Sequence, residues 1–578
     1  MKQKCHVDLY TREGEQLSGT PWDIYPRPQL RRDSYYNLNG AWDFAVSTGD
    51  ELPVQYEEQI RIPFPPQSLL SGIHRDIPEE QYLFYRRSFR WSEEFGDGRV
   101  ILHIGAADQI AAVWLNGIYL GEHVGGYEPF SFDVTKALNR DNTLVIRVTD
   151  QMSRLVLPYG KQSRKRGGMW YTPVSGIWQT VWLEQVPEQY VRGVKIRSGL
   201  DWAELTVEGG VSDGTVTVHT PEGELEFLLR EGKAGIKVPE PRCWSPEDPY
   251  LYFCTIRAGE DRVTTYFALR TLTRERVAGV WRLCLNGKPC FFHGLLDQGY
   301  WSDGLFTPAH PSCYERDILA AKALGFNTLR KHIKVEPEQF YYDCDRLGMV
   351  VFQDMVNNGD YNFLRDTALP TVGWRRRNDR RMHRDKETRE AFLNAMEGTV
   401  ERLSNHPCIC YWTIFNEGWG QFESTKAYRR LKELDPTRFV AGVSGWFKGG
   451  ESDVEAEHIY FRPFRPKKVK RPLVLSEFGG YAYQTKGHVF NPDNEYGYRK
   501  YDDREVYVQG LVELYRREII PAVGRGLCGA VYTQLSDVED ETNGLLSYDR
   551  KVCKVKPEEL LPIAEALERE IHRHRQKN

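Results

Sequence analysis

Apolar and polar positions change their rhythm twice along the chain. From about Leu38 to Gln185, short alternating runs are separated by Gly, Pro, Asn and Asp: Tyr82–Phe89, Val100–Ile104, Ala111–Leu115, Leu144–Val148 and Thr180–Glu184. Period-two alternation places one face of each run in a core, and Asn116-Gly117 after AAVWL predicts a tight hairpin. Strands without helices between them predict a β-sandwich over 1–187. The same texture continues at smaller scale in Val194–Arg197, Glu204–Glu208, Thr215–His219, Leu225–Leu229 and Tyr252–Ile256, predicting a second sandwich of immunoglobulin size over 188–272. The Pro-rich stretch Pro241–Pro249 within it is expected to cross the surface.

Beyond Leu272 the period lengthens. Helical stretches (Tyr314–Leu324, Glu336–Leu347, Lys386–Leu403, Thr425–Leu434, Val506–Ile520) alternate with eight apolar runs: Cys290–Leu296, Thr328–Lys331, Val350–Gln353, Ile409–Phe415, Phe439–Val443, Glu457–Tyr460, Leu473–Ser476 and Cys528–Tyr532. Fully apolar strands alternating with helices predict a parallel sheet covered by helices. Eight of them predict a closed (β/α)₈ barrel over 273–578, with little room for helices between the fifth and seventh runs.

Composition narrows the class without naming a function. The 77 Lys+Arg and 81 Asp+Glu of the 578 residues leave a formal charge of −4, so no global basic field points to nucleic acid. No apolar stretch approaches the roughly 20 residues of a spanning helix, so no membrane partner is expected. The start, MKQKCHVDLYTREGEQ, lacks the apolar core of a secretory signal, and the expected location is cytoplasmic. Eleven Cys make no disulfide framework, and Cys408 and Cys410 are expected as buried thiols on one strand face. No ligand cluster has convincing metal spacing, so no metal and no cofactor are expected. The broad faces of β domains allow a homo-oligomer.

In such a barrel the chemistry projects from the C-terminal strand ends. These carry Asp297, Arg330 with His332, Asp354, Asn416 with Glu417, Tyr460 and Glu477. Two glutamates end apolar strands, in TIFNEGWG and LVLSEFGG, where burial without a partner costs several kcal/mol. One such Glu reads as an ion-pair partner. Two, on nearly opposite strands, read as the facing carboxylates of glycoside hydrolysis.

On these motifs the chain resembles glycoside hydrolase family 2, the β-galactosidase and β-glucuronidase family. The likeness includes YRRSF at Tyr85–Phe89, VWLNGIYLGEHVGGYEPFSFDVT at Val113–Thr135, SGIWQTVWLE at Ser175–Glu184, WSPEDPYLY, FALRT, FNEGWG and SEFGG. The resemblance implies a sugar-binding-like sandwich, an immunoglobulin-like domain and a catalytic barrel. It implies an exo-acting, retaining β-glycosidase with Glu417 as acid/base and Glu477 as nucleophile, Asn416 on the sugar 2-hydroxyl and Tyr460 beside the nucleophile.

Substrate is read from local charge. Basic residues gather at the predicted mouth: Arg330-Lys331-His332-Ile333-Lys334, Lys486 with His488, and the run Trp374–Lys386. Cations at a sugar site suit a sugar carboxylate, so a β-hexuronidase is the first reading, with Lys334 favoured for that grip. Asp297, Arg330, His332, Asp354, Trp446 and Lys486 are further substrate-binding candidates. Trp281, Trp301, Trp374 and Trp419 are candidate platforms. Against a glucuronidase of the ordinary kind, the family's Asn-x-Lys pair is replaced here by Asn543 with Leu545, which favours the alternative, a β-galactosidase. A non-catalytic carbohydrate-binding protein is the alternative of another class.

Overall fold

A computed structural model describes residues 6–91, 98–371, 379–447, 450–467 and 469–573. Trp374 and the arginines beside it, 375–377, lie outside the described residues.

The first unit is a sandwich of two antiparallel sheets. One has six strands in the order Glu58–Ile62, Gly40–Ser47, Tyr82–Arg90, Asp141–Thr149, Ile110–Leu115 and Ile118–Val124. The other has four: Tyr35–Asn37, Val181–Val186, Arg99–Ile104 and Phe130–Asp133. Alternate residues from both (Trp42, Phe44, Tyr85, Leu102, Val113, Ile146, Leu183) fill the space between them. The hairpin at Asn116-Gly117 forms as its sequence demands, with both residues at positive φ (53° and 80°).

The second unit packs a three-stranded sheet (Val191–Ser198, Trp202–Gly209, Lys233–Lys237) on a four-stranded one (Gly223–Leu229, Gly214–Thr220, Tyr252–Ala258, Asp261–Phe267). Arg32 ties it to the first, donating to Glu184 at 2.8 Å and to Asp261 at 2.7 Å. Pro241–Pro249 departs from its surface expectation at Trp244 and Pro246, which are buried. Trp244 is fully buried and donates Nε1 to the carbonyl of Asp345, so the indole anchors this unit to the barrel.

The third unit is the barrel. Its strands are β1 (Phe292–Asp297), β2 (Thr328–Lys331), β3 (Val350–Asp354), β4 (Ile409–Asn416), β5 (Phe439–Ser444), β6 (Glu455–Ile459), β7 (Leu473–Gly479) and β8 (Leu527–Thr533). All pair in parallel, in the order β5-β4-β3-β2-β1-β8-β7-β6. Helices α1 (Ser312–Ala323), α2 (Glu338–Leu347), α3 (Lys386–Leu403) and α4 (Ser424–Leu434) cover the first half, and α5 (Arg504–Leu514) and α6 (Pro557–His572) the second. Among the described residues no helix lies between β5 and β7. Cys408 and Cys410 are buried free thiols. Among the described residues no helix is long and apolar enough to cross a membrane.

One connection shapes the site. Residues 150–175 leave the first sandwich after Asp141–Thr149 and lie on the barrel mouth. Tyr159 N donates to the carbonyl of Asn357 at 3.1 Å, and its hydroxyl to that of Gly359 at 2.8 Å. Trp170 stacks on Trp419 with centroids 5.3 Å apart and meets the edge of Tyr361.

Candidate active site

Glu417 follows β4 directly. Its backbone is at φ +50°, a costly conformation for a residue with a side chain, held by Glu417 N donating to the Ser444 carbonyl and Trp419 N to the Asn416 carbonyl. Gly418 continues the turn at φ +79°, where a Cβ would stand 2.4 Å from the Phe447 ring. Glu477 lies within β7, where the pairing with β8 slips between Leu475 and Phe478, and it faces His458 in the register with β6. One carboxylate oxygen of each glutamate and a ring nitrogen of His458 lie within 4.8 Å of one another.

The two carboxylates are held differently. Glu477 Oε1 accepts from Arg330 at 2.9 Å and Oε2 from the Tyr460 hydroxyl at 2.6 Å, with His458 Nδ1 3.5 Å away. Burial alone would raise its pKa, but His458, then Arg330, and the Tyr460 hydrogen bond hold it at about 2. Glu477 is therefore an anion at any physiological pH. Glu417 Oε1 meets His458 Nδ1 at 2.7 Å. His458 thus stands between the pair, and Trp446 turns its ring toward it at 5.8 Å, perpendicular.

Arg330 is the hub. It also donates to Asp354 at 3.0 Å, to the Ser476 carbonyl at 2.9 Å and to Asn416 Oδ1 at 2.9 Å. Asn416 Oδ1 accepts from Ser444 as well, so Nδ2 is the end of the amide left to donate. Asp354 accepts from Arg330 and meets His332 Nδ1 at 2.7 Å, which keeps its carboxyl ionised despite burial. Burial pushes the His332 imidazole down to about 4, so it is neutral.

The remaining basic candidates have internal partners. Lys331 reaches Asp297 at 2.6 Å and Glu336 at 2.9 Å. Lys334, favoured from sequence for the sugar carboxylate, donates to the carbonyls of Gly299 and Phe306 at 2.5 and 2.8 Å and pairs with Glu336 at 2.9 Å. Asp297 also accepts from Gly299 N and so orders the β1 loop. Lys486 is exposed. Trp301 is buried under Arg550, 4.4 Å away, and Trp281 lies on the hairpin that precedes β1, beneath Arg276.

Several groups here were not singled out from sequence. His458 sits two residues before Tyr460, and period-two alternation would have put both on one face. Tyr498 stacks on Tyr460 at 3.7 Å. Glu541 takes hydrogen bonds from the Tyr171 hydroxyl and from Gln534. Lys161 reaches the mouth from the first sandwich, 5.0 Å from the ring of Trp419. No local signal marks Lys161, because its neighbour Trp419 comes from another unit.

Among the described residues, the one set of three donors able to hold a metal ion is Glu417, His458 and Glu477, already bonded to one another or to Arg330 and Tyr460. Two carboxylates so placed, one firmly ionised and one beside an imidazole, can attack an electrophilic carbon and exchange a proton at its leaving oxygen.

Comparison with known proteins gives this geometry its context. Residues 280–552 match the model of the glycosyl hydrolases family 2 TIM barrel domain, 72–213 that of the glycosyl hydrolase 2 galactose-binding domain-like domain, and 197–270 a further family 2 model. The chain is 24% identical over 455 residues to a β-galactosidase of Thermoanaerobacter pseudethanolicus, covering 72% of this chain and 56% of that one. It is 25% identical over 540 residues to the β-glucuronidase of Homo sapiens, covering 79% of each. In fold it is similar to a β-glucuronidase from an uncultured Clostridium (TM-score 0.72, 18% identity, 94% of this chain and 99% of that). It is also similar to a β-galacturonidase from Eisenbergiella tayi bound to galacturonate (TM-score 0.66, 19% identity, 93% and 98%). Matched in all three of its units, the chain belongs to glycoside hydrolase family 2.

Proposed function

We propose that this glycoside hydrolase is an exo-acting, retaining β-glycosidase that removes a terminal β-linked hexuronic acid. The observation that carries the mechanism is the approach of the Glu417 and Glu477 carboxylates to within 4.8 Å, in keeping with the roughly 5–5.5 Å of retaining enzymes and too close for a water to act between them. Glu477 attacks the anomeric carbon. The bond to the aglycone oxygen breaks with its electron pair on that oxygen, which takes a proton from Glu417. Water then gives a proton to Glu417, bonds the anomeric carbon and releases the Glu477 ester. Arg330 and Tyr460 keep the attacking group ionised, and Asn416 Nδ2 is available to the sugar 2-hydroxyl.

The hexuronide reading is supported by the relatives, which include β-glucuronidases and a β-galacturonidase. A second reading, a neutral β-galactoside, is favoured by Leu545, fully buried where ordinary glucuronidases carry lysine, and by the β-galactosidase relative. Measuring kcat/KM on nitrophenyl β-glucuronide, β-galacturonide and β-galactoside separates them. The hexuronide reading expects a uronide to lead, and a more than roughly tenfold preference for the galactoside overturns it. A 2-fluoro glycoside is expected to leave a covalent adduct on the Glu477 peptide by mass spectrometry. No adduct would end the retaining assignment. The proposal keeps a cytoplasmic location and leaves room for a homo-oligomer.

A further inference from the structure

A sugar carboxylate buried at this site needs a cation that the protein has not already neutralised. Around the mouth, the buried cations of the barrel itself already have partners, and Lys486 is exposed. Arg330 is shared by Asp354 and Glu477, Lys331 by Asp297 and Glu336, and Lys334 is held by two carbonyls and Glu336. His332 and His458 are engaged by Asp354 and Glu417.

Lys161 differs from all of these. It is 7% exposed, yet among the described residues no carboxylate or carbonyl pairs with its ammonium. Its neighbours are ring faces, Trp419 at 5.0 Å and Tyr171 at 6.0 Å. Cation–π contact stabilises a desolvated ammonium less than a carboxylate partner does. The backbone that carries it is fixed against the barrel. Gly160, at φ +71°, is so close that a Cβ would stand 2.9 Å from the Ile333 carbonyl, next to His332. The ammonium is near enough to His332 at the barrel mouth, and to Glu541, for its charge to act on both. The nearby acid Glu541 has one oxygen committed to Tyr171 and Gln534. Burial pushes its pKa up and the Lys161 charge opposes this, so Glu541 feels the ammonium without making a hydrogen bond or ion pair to it.

We infer that Lys161, carried by the first sandwich, is the cation that binds the C6 carboxylate of the substrate, in place of the missing lysine at Leu545. This rests on the hexuronide reading and names the residue that produces it. The test compares kcat/KM for matched uronide and neutral pairs, β-galacturonide with β-galactoside and β-glucuronide with β-glucoside, in wild type, K161M and K161Q. Loss of a charge-assisted contact predicts a uronide-to-neutral ratio lower by roughly 10- to 100-fold in both variants, mainly through KM. An unchanged ratio in a folded variant overturns the assignment while leaving a hexuronidase in place. A wild type that prefers the neutral sugar fails the hexuronide reading itself. In the unmutated protein, reductive methylation of Lys161, followed by peptide mass, is expected to be blocked by free hexuronate but not by the matching hexose. Equal modification with either would count against it even if neither variant folds.

Discussion

Two sides of the barrel mouth use the same residue types to opposite ends. At β1–β2, Asp297, Lys331, Lys334 and Glu336 form a closed set in which each ammonium meets acids or carbonyls within about 3 Å. At β4, β6 and β7, Glu417 and Glu477 share His458, Glu477 alone takes part of one arginine, and the two carboxylates approach each other. Charges matched within the protein hold the loops. Charges left unmatched are available to a substrate. Residue type and strand position do not tell these cases apart; the count of partners does.

The contrast breaks most decisively at the carboxylates. E477Q removes the attacking oxygen and is expected to lower kcat by roughly 10⁴-fold or more with the thermal midpoint near that of wild type. E417Q is expected to cost roughly 10²–10⁴-fold on substrates with poor leaving groups and far less on nitrophenyl glycosides, whose oxygen departs unprotonated. Steady-state kinetics on both substrate types checks this, and equal losses would erase the division of roles. On the matched side the effect moves from rate to stability. K331M strands the buried Asp297 and leaves Glu336 with Lys334 alone, and is expected to destabilise by about 3–5 kcal/mol in urea unfolding, with kcat in the folded fraction changed by less than about tenfold.

The smallest effect tests what keeps Glu477 ionised. Y460F removes one donor to its carboxylate and is expected to lower kcat/KM by roughly tenfold. The sign for pH follows from the depressed pKa. Glu477 is active as the anion, so activity is present above its folded pKa, about 2 in the wild type, and is lost as pH falls through it. The variant raises that pKa, so the acid limb of its kcat/KM profile moves to higher pH. A limb that stays in place would show that Arg330 and His458 suffice.

Much of this was legible in the sequence for a simple reason. Buried parallel strands require uninterrupted apolar runs, and most of the barrel strands announce themselves that way. A carboxylate that ends such a run cannot be packing, which exposed Glu417 and Glu477. His458 escaped because EAEHIY reads as a polar edge, although alternate residues of it are buried. Lys334 reads as a candidate for the sugar carboxylate because its partners, two carbonyls of the β1 loop and Glu336, carry no mark in the sequence. Trp170 and Lys161 act across a boundary between units, where periodicity within either one is silent.

The loop of residues 150–175 separates two kinds of change. The proposed bond-breaking groups sit on or directly after strands of the barrel, whose geometry tolerates little alteration. One wall of their pocket is lent by a domain that contributes none of those groups. A lineage can retune what this catalyst accepts by editing a surface excursion of its neighbour, and can do so without touching the machinery that cuts.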